Sequence, residues 1–346
     1  MEKLQGIIPP MITPLTDDDT LDREGTVRLV EHMLSGGIHG LFLLGTTGEA
    51  QSLSYKCRYD FVELACRQVA GRVPVLVGIT DTSMDESLKL AEKARACGAA
   101  AVVAAPPYYF APSQQELIEY YTALADRLCL PLFLYNMPSH VKVSFAPQTV
   151  RVLGEHPNII GLKDSSANMT YFQTLLYIMR DRPDFALYVG PEELTGECVV
   201  MGADGGINGG ANMFPELYVQ MYDAARRNDV QTMRTLQQRI MQISTTIYTV
   251  GKYGSSYLKG VKCALSLMGI CDDYMSYPYR RFRSEERERI RQALEALGGP
   301  RPAEQGAGRA RRHLRRVATG RGRAARAVPA MAARRGVPRP VVRPVA

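Results

Sequence analysis

The sequence has no tryptophan, no Cys-x-x-Cys pair and no apolar run long enough to span a membrane. Its start, Met1-Glu2-Lys3-Leu4-Gln5-Gly6, lacks the basic and apolar segments of a signal peptide. These absences predict a cytoplasmic protein without membrane association. The seven cysteines (Cys57, Cys66, Cys97, Cys129, Cys198, Cys263 and Cys271) are scattered, mostly in apolar segments. That pattern reads as core thiols in a reducing compartment and argues against a zinc site. Lysine is missing from residues 301–346, where thirteen arginines face one acid, Glu304. That tail carries +12 against +7 for the whole chain, so the first 300 residues are net −5. The overall basicity is therefore not a sign of nucleic-acid binding by the folded part. The tail also lacks apolar periodicity and is expected to be disordered.

What is present is material for a core, 46% hydrophobic against 22% charged residues. Short β-branched or Leu-rich runs alternate with amphipathic segments of helical length, as in successive βα units. The candidate strands are 6–12, 40–44, 73–79, 100–105, 132–135, 159–163, 186–190 and 205–207. Helical patterns between them include 23–34, 56–70, 84–96, 114–128, 169–179 and 192–201. Eight such strands predict an α/β fold, a (β/α)8 TIM barrel over residues 1–225, with an open doubly wound sheet as the alternative. Segments 229–249, 256–268 and 284–297 have no strand between them and predict a C-terminal three-helix appendix over 226–299, ahead of the tail at 300–346.

In such a barrel the chemistry sits at the C-terminal ends of the strands. There the sequence places Gly45-Thr46-Thr47-Gly48-Glu49, Pro106-Pro107-Tyr108-Tyr109, Tyr135-Asn136-Met137-Pro138 and Gly161-Leu162-Lys163-Asp164. Lys163 ends an apolar run. A strand-end lysine ordinarily snorkels to solvent, but one held in a buried strand loses hydration of its ammonium and becomes a nucleophile toward ketones. Tyr135 lies on the preceding strand and would face the same mouth, a phenol suited to moving protons during imine formation. Glu49 reads as a structural carboxylate rather than a general base. Tyr108 and Tyr109 also fit rim packing. The run from Gly205 to Gly210 lacks the Lys-Ser/Thr of a P-loop, and its glycines read as close backbone approach.

In this order and spacing, the Gly-x-x-Gly-Glu loop, Tyr-Asn-x-Pro turn and Gly-Leu-Lys-Asp strand end resemble the dihydrodipicolinate synthase / N-acetylneuraminate lyase family of class I, pyruvate-dependent aldolases, over residues 1 to about 297. The resemblance implies that Lys163 forms an imine with a 2-keto acid and that Tyr135 relays the proton. It implies that Thr47 and Gly48 bind the substrate, Thr47 holding the pyruvate carboxylate with its own and Thr46's amides. Thr46 would link Tyr135 to Tyr109, which in the family reaches into the neighbouring subunit. Gly190 and the Ile207 backbone would line the floor. No cofactor or metal is implied, and the assembly would be a homotetramer, a dimer of dimers. Two departures bear on substrate. His140 stands where the synthase branch carries an arginine, and Asp164-Ser165-Ser166 is closer to the sugar-acid aldolases. Asn208 adds a polar group for a hydroxylated chain. The expected activity is reversible cleavage of a 2-keto-3-deoxy sugar acid or related 2-keto acid to pyruvate and an aldehyde. The alternatives are a 4-hydroxy-tetrahydrodipicolinate synthase, condensing pyruvate with aspartate semialdehyde, and a non-catalytic keto-acid-binding regulator.

Overall fold

The computed structural model describes residues 3–298; the tail at 300–346 lies outside them. In chain order the elements are β1 (Gly6–Ile7), α1 (Arg23–Ser35), β2 (Leu41–Leu43), α2 (Tyr55–Val69), β3 (Val75–Gly78), α3 (Met84–Ala96), β4 (Ala101–Ala104), α4 (Gln114–Arg127) and β5 (Leu132–Asn136). Then follow α5 (Pro138–Val141), α6 (Pro147–Leu153), β6 (Ile159–Asp164), α7 (Met169–Ile178), β7 (Ala186–Val189), α8 (Thr195–Val200), β8 (Gly205–Gly206) and α9 (Pro215–Arg226). The last three are α10 (Val230–Thr246), α11 (Ser256–Leu267) and α12 (Ser284–Ala296). Helices begin where the sequence supplies a side chain for the orphaned first-turn amides: Asp22, Ser54, Ser83, Ser113, Asn168 and Asp229 each accept one.

Among the described residues the eight strands are parallel: β2 to β8 each pair with the next in sequence, and β8 pairs with β1. The remaining seam, between β1 and β2, is closed by a parallel bridge from Pro10 to Phe42, with Phe42 N donating to Pro9 O at 2.9 Å and Met11 N to Phe42 O at 2.8 Å. The sheet is thus a barrel and not an open doubly wound sheet. The expected first strand, 6–12, shrinks to two residues because Pro9 and Pro10 have no amide hydrogen for a ladder. β2 stops at Leu43 because Leu44 turns into the left-handed region at φ 58°. The expected helix at 192–201 is a 3₁₀ turn, Glu192–Leu194, followed by α8. The short helices α5 and α6, each opened by a proline, were not expected.

The barrel interior is filled by side chains that include Ile8, Phe42, Leu76, Val103, Phe133, Tyr188 and Ile207. Gly161 makes room for one of them: a Cβ there would lie 2.4 Å from the Phe133 ring. A second, larger apolar layer fills the space between strands and helices. Of the C-terminal helices, α10 packs on α9, α12 on α11, and α11 lies over the 3₁₀ turn Gly209–Asn212 at the barrel mouth. Among the described residues no helix is long and apolar enough to cross a membrane.

Candidate active site

A cavity of about 540 Å³ opens at the C-terminal ends of the strands. β5 and β6 pair in register with Tyr135 opposite Lys163 and Asn136 opposite Asp164. Strand alternation then separates the two pairs. Tyr135 and Lys163 face the cavity. Asn136 and Asp164 turn away, joined by a 2.8 Å bond from Asn136 Nδ2 to Asp164 Oδ1. Asn136 Oδ1 also accepts from Ser144 Oγ and Phe145 N, while Asp164 accepts from the Ser166 amide and hydroxyl. The polar partner in each motif therefore braces the strand end that carries its cavity-facing neighbour.

Lys163 is buried, with Nζ 4.1 Å from the centre of the Tyr135 ring and 5.1 Å from that of Phe42. The Tyr135 hydroxyl is 3.3 Å from Thr46 Oγ1. Burial alone would push the Tyr135 phenol's pKa up. The Lys163 charge and hydrogen bonds with Thr46, Ser165 and Lys163 outweigh burial and hold it below the usual phenol value. Such a phenol gives up and regains a proton more readily at neutral pH.

The Gly45–Glu49 turn is closed by Gly48 N to Gly45 O and Glu49 N to Thr46 O, at 3.0 and 3.1 Å. It leaves the Thr46 and Thr47 amides uncommitted to other described residues. Its end is anchored by Glu49, in the left-handed region at φ 55°, which ion-pairs with Lys262 and accepts from Ser276 N at 3.0 Å. Glu49 is thus a structural carboxylate, as expected from the sequence.

Thr46, Thr47, His140, Gly190 and Ile207 join Lys163 and Tyr135 in the wall, whereas three expected site residues do not line the cavity. Gly48 sits behind the loop, its carbonyl accepting from Thr13 Oγ1 at 2.7 Å. Asn208 is fully buried and donates to Gly190 O at 3.2 Å, so it backs the wall that Gly190 forms. Tyr109 is 82% exposed at φ 88°, packed edge-on against Phe110, and flanks a separate shallow depression with Thr82 and Pro107. Thr46 accordingly reaches Tyr135 but not the Tyr109 of its own chain. Of Asp164-Ser165-Ser166, only Ser165 lines the cavity.

Sequence reading missed Glu192, Glu193 and Tyr257, all in the wall, and named Ser165 only within the run Asp164-Ser165-Ser166, without a place in the site. Ser165 was discoverable, two positions beyond Lys163 on the same inward face. Glu192 accepts from Tyr218 OH, Tyr248 OH and Gly210 N at 2.5, 2.6 and 2.8 Å, and burial raises its pKa to about 7. Among the described residues, Lys163 is the only lysine or arginine that lines the cavity. Lys142, the nearest basic residue to His140 in sequence, is exposed and outside the wall. His140 sits at the rim; burial of its inner edge, then repulsion from Lys163, lowers its pKa and disfavours the imidazolium.

The family model described as the dihydrodipicolinate synthetase family matches residues 3–297. This chain belongs to that family. It is a lyase of the class I, pyruvate-dependent type, which works through a lysine Schiff base. It is 33% identical over 301 residues to a probable 2-dehydro-3-deoxy-D-pentonate aldolase, YjhH, of Escherichia coli K12, covering 86% of this chain and 99% of the relative. A dihydrodipicolinate synthase structure from Bacteroides thetaiotaomicron superposes with a TM-score of 0.84 at 59% identity, covering 86% of this chain and 99% of that one. YagE, a prophage protein of E. coli K12 solved in complex with pyruvate, superposes at 0.80 with 29% identity, covering 85% and 98%. The family resemblance read from the motifs thus holds over the length expected.

Proposed function

We propose that this lyase reversibly cleaves a 2-keto-3-deoxy sugar acid, or a related 2-keto acid, to pyruvate and an aldehyde, with Lys163 as the Schiff-base residue. The carrying observation is the charge of the cavity wall. Beyond Lys163 it holds, among the described residues, no permanent cation for a second carboxylate, while Glu193, Ser165 and Tyr108 offer partners for hydroxyl groups. The similarity to an aldolase of a 2-dehydro-3-deoxy sugar acid supports the same reading.

In the proposed reaction the neutral Lys163 amine attacks the C2 carbonyl of the keto acid. The carbinolamine loses water as Tyr135 delivers the proton, leaving an iminium. A base takes the C4 hydroxyl proton, the C3–C4 bond breaks, its electrons move into the iminium to form an enamine, and the aldehyde departs. Protonation at C3 and addition of water then release pyruvate and restore the amine. Thr46 holds the Tyr135 phenol in place. The Thr47 hydroxyl and the Thr46 and Thr47 amides receive the carboxylate. Gly190 and Ile207 form the floor, Asn208 and Gly48 support the wall from behind, and His140 contacts the far end of the substrate.

The second reading, condensation of pyruvate with aspartate semialdehyde by a 4-hydroxy-tetrahydrodipicolinate synthase, draws on the 59% identity to a structure described as dihydrodipicolinate synthase. It uses the same imine and needs a further carboxylate receptor. Tyr109 and Phe110, 82% and 84% exposed, support a homotetramer in which Tyr109 enters a neighbouring site. All seven cysteines are free thiols, which supports the cytoplasmic reading. The deciding experiment compares kcat/KM across a panel of 2-keto-3-deoxy sugar acids with that for pyruvate plus aspartate semialdehyde. Cleavage of a sugar acid is expected to be the more efficient, and efficient condensation without any cleavage would reverse the ranking.

A further inference from the structure

We propose that Tyr257, carried by the C-terminal helix α11, is a positioning residue for Thr47, its phenol fixing the Thr47 hydroxyl so that the remaining hydrogen is presented to the keto acid's carboxylate. The inference rests on the assignment of Thr47 as a carboxylate donor made above.

Three contacts place the phenol. Its oxygen is 3.2 Å from Thr47 Oγ1, across 210 residues of sequence. Its ring is met edge-on by Tyr248, with centroids 4.8 Å apart and planes at 78°. Tyr248 is itself tied through its hydroxyl to the buried Glu192. Below it the wall makes way: a Cβ on Gly209 would lie 1.6 Å from the Tyr257 oxygen, so any other residue there would displace the phenol. The ring is therefore held by its neighbours rather than swinging in the cavity.

The direction of the Thr47 bond follows from donor strength. A threonine hydroxyl has one hydrogen and two lone pairs. If it donated to Tyr257, nothing would be left for a carboxylate. A phenol is the more acidic hydroxyl and the better donor, and burial pushes the Tyr257 ionisation well above the usual phenol range, keeping that hydrogen in place. With Tyr257 donating, one Thr47 lone pair is occupied and its hydrogen is free for the ligand. A rotor that would otherwise be ordered on binding is ordered in advance.

The same helix holds the other end of the loop. Lys262, one and a half turns on from Tyr257, forms the buried ion pair with Glu49. Lys262 sets where the loop's end lies, and Tyr257 sets which way one hydroxyl on it points. The helical appendix thereby supplies part of the substrate site.

The test measures borohydride trapping of Lys163 against pyruvate concentration, a readout of keto-acid binding that needs no aldehyde. Tyr257→Phe is expected to raise the half-saturating pyruvate concentration roughly 3- to 10-fold, the worth of one neutral hydrogen bond, with the trapping rate at saturation within about twofold of wild type. Gly209→Ala, which displaces the phenol without removing it, is expected to raise it similarly. In a Thr47→Val background, Tyr257→Phe is expected to add nothing, because there is no hydroxyl left to orient; in a Thr47→Ser background its effect should persist. An unchanged half-saturation in Tyr257→Phe, or the same fold-rise with Thr47→Val, overturns the inference while leaving the Thr47 assignment standing. A Thr47→Val variant that saturates like wild type removes that assignment, and the inference with it.

Discussion

Lys262 and Glu49 form an ion pair in which neither side chain reaches solvent, at 1% and 0% exposure. Glu49 accepts Ser276 N and Lys262 donates to Tyr274 O at 2.7 Å, so the pair ties the 45–49 loop both to α11 and to the segment after it. A buried pair is costly to break from one side only, because the surviving charge stays desolvated. Lys262→Met is therefore expected to destabilise the protein by about 3–5 kcal/mol in urea unfolding. The double variant Glu49→Gln, Lys262→Met should recover much of that loss. A single variant within about 1 kcal/mol of wild type would show the charge is not confined as described.

In the proposed mechanism, pyruvate and borohydride should label Lys163, and Lys163→Ala should abolish both labelling and turnover. Tyr135→Phe should keep the fold and lose roughly 10²-fold or more in kcat, the usual worth of a positioned proton-transfer group. Mass spectrometry of the reduced adduct checks the first expectation and steady-state kinetics the second. Labelling of a different lysine, or wild-type turnover by Tyr135→Phe, would refute the respective roles.

His140→Arg tests substrate class. A guanidinium gives a carboxylate two charge-assisted hydrogen bonds, whereas a rim imidazole held largely neutral gives at most one. Adding that contact should improve kcat/KM for aspartate semialdehyde by about tenfold or more, equivalent to roughly 1.5–3 kcal/mol. It should do little for a neutral aldehyde. If both substrates responded equally, the rim would not be reading charge.

Glu192 makes a pH prediction with a definite sign. Its folded-state pKa is raised to about 7 from an ordinary 4.5, chiefly by burial. Between those values the folded protein keeps a proton that the unfolded chain has released, so rising pH favours unfolding across that window and has no further effect through this group above it. The decline should total on the order of 3 kcal/mol. Glu192→Gln cannot titrate, and its unfolding free energy should lack this component. Equal slopes for wild type and variant between pH 5 and 7, by urea titration, would refute the assignment.

The barrel was legible because most of its strands are apolar runs buried on both faces and the longer helices between them are amphipathic, six helices opening on a side-chain cap. Lys163 and Tyr135 were legible for a related reason: neighbouring parallel strands in register put equivalent ends at one mouth. Legibility failed where the determining contact is remote or steric. Nothing local to Ser255-Ser256-Tyr257 points to Thr47, and only the packing shows that Gly209 is a vacancy for a phenol. Asn208 looked like a substrate contact because it is polar beside a glycine-rich strand end; its side chain instead braces Gly190. Asp164 and Ser166, which suggested a substrate class from the sequence, spend their polar atoms on each other and on Asn136.

An enzyme that gathers an anion with clustered arginines and lysines loses affinity steeply as ionic strength rises. Here the keto acid's carboxylate, in the proposed pose, meets a hydroxyl and two backbone amides, and the single lysine of the wall reacts at the carbonyl instead. Neutral donors of this kind are little affected by mobile ions, whose screening length is already about 10 Å at 0.1 M. The half-saturating pyruvate concentration should therefore stay nearly flat from roughly 0.05 to 0.5 M salt, and release of pyruvate need not wait for an ion pair to part.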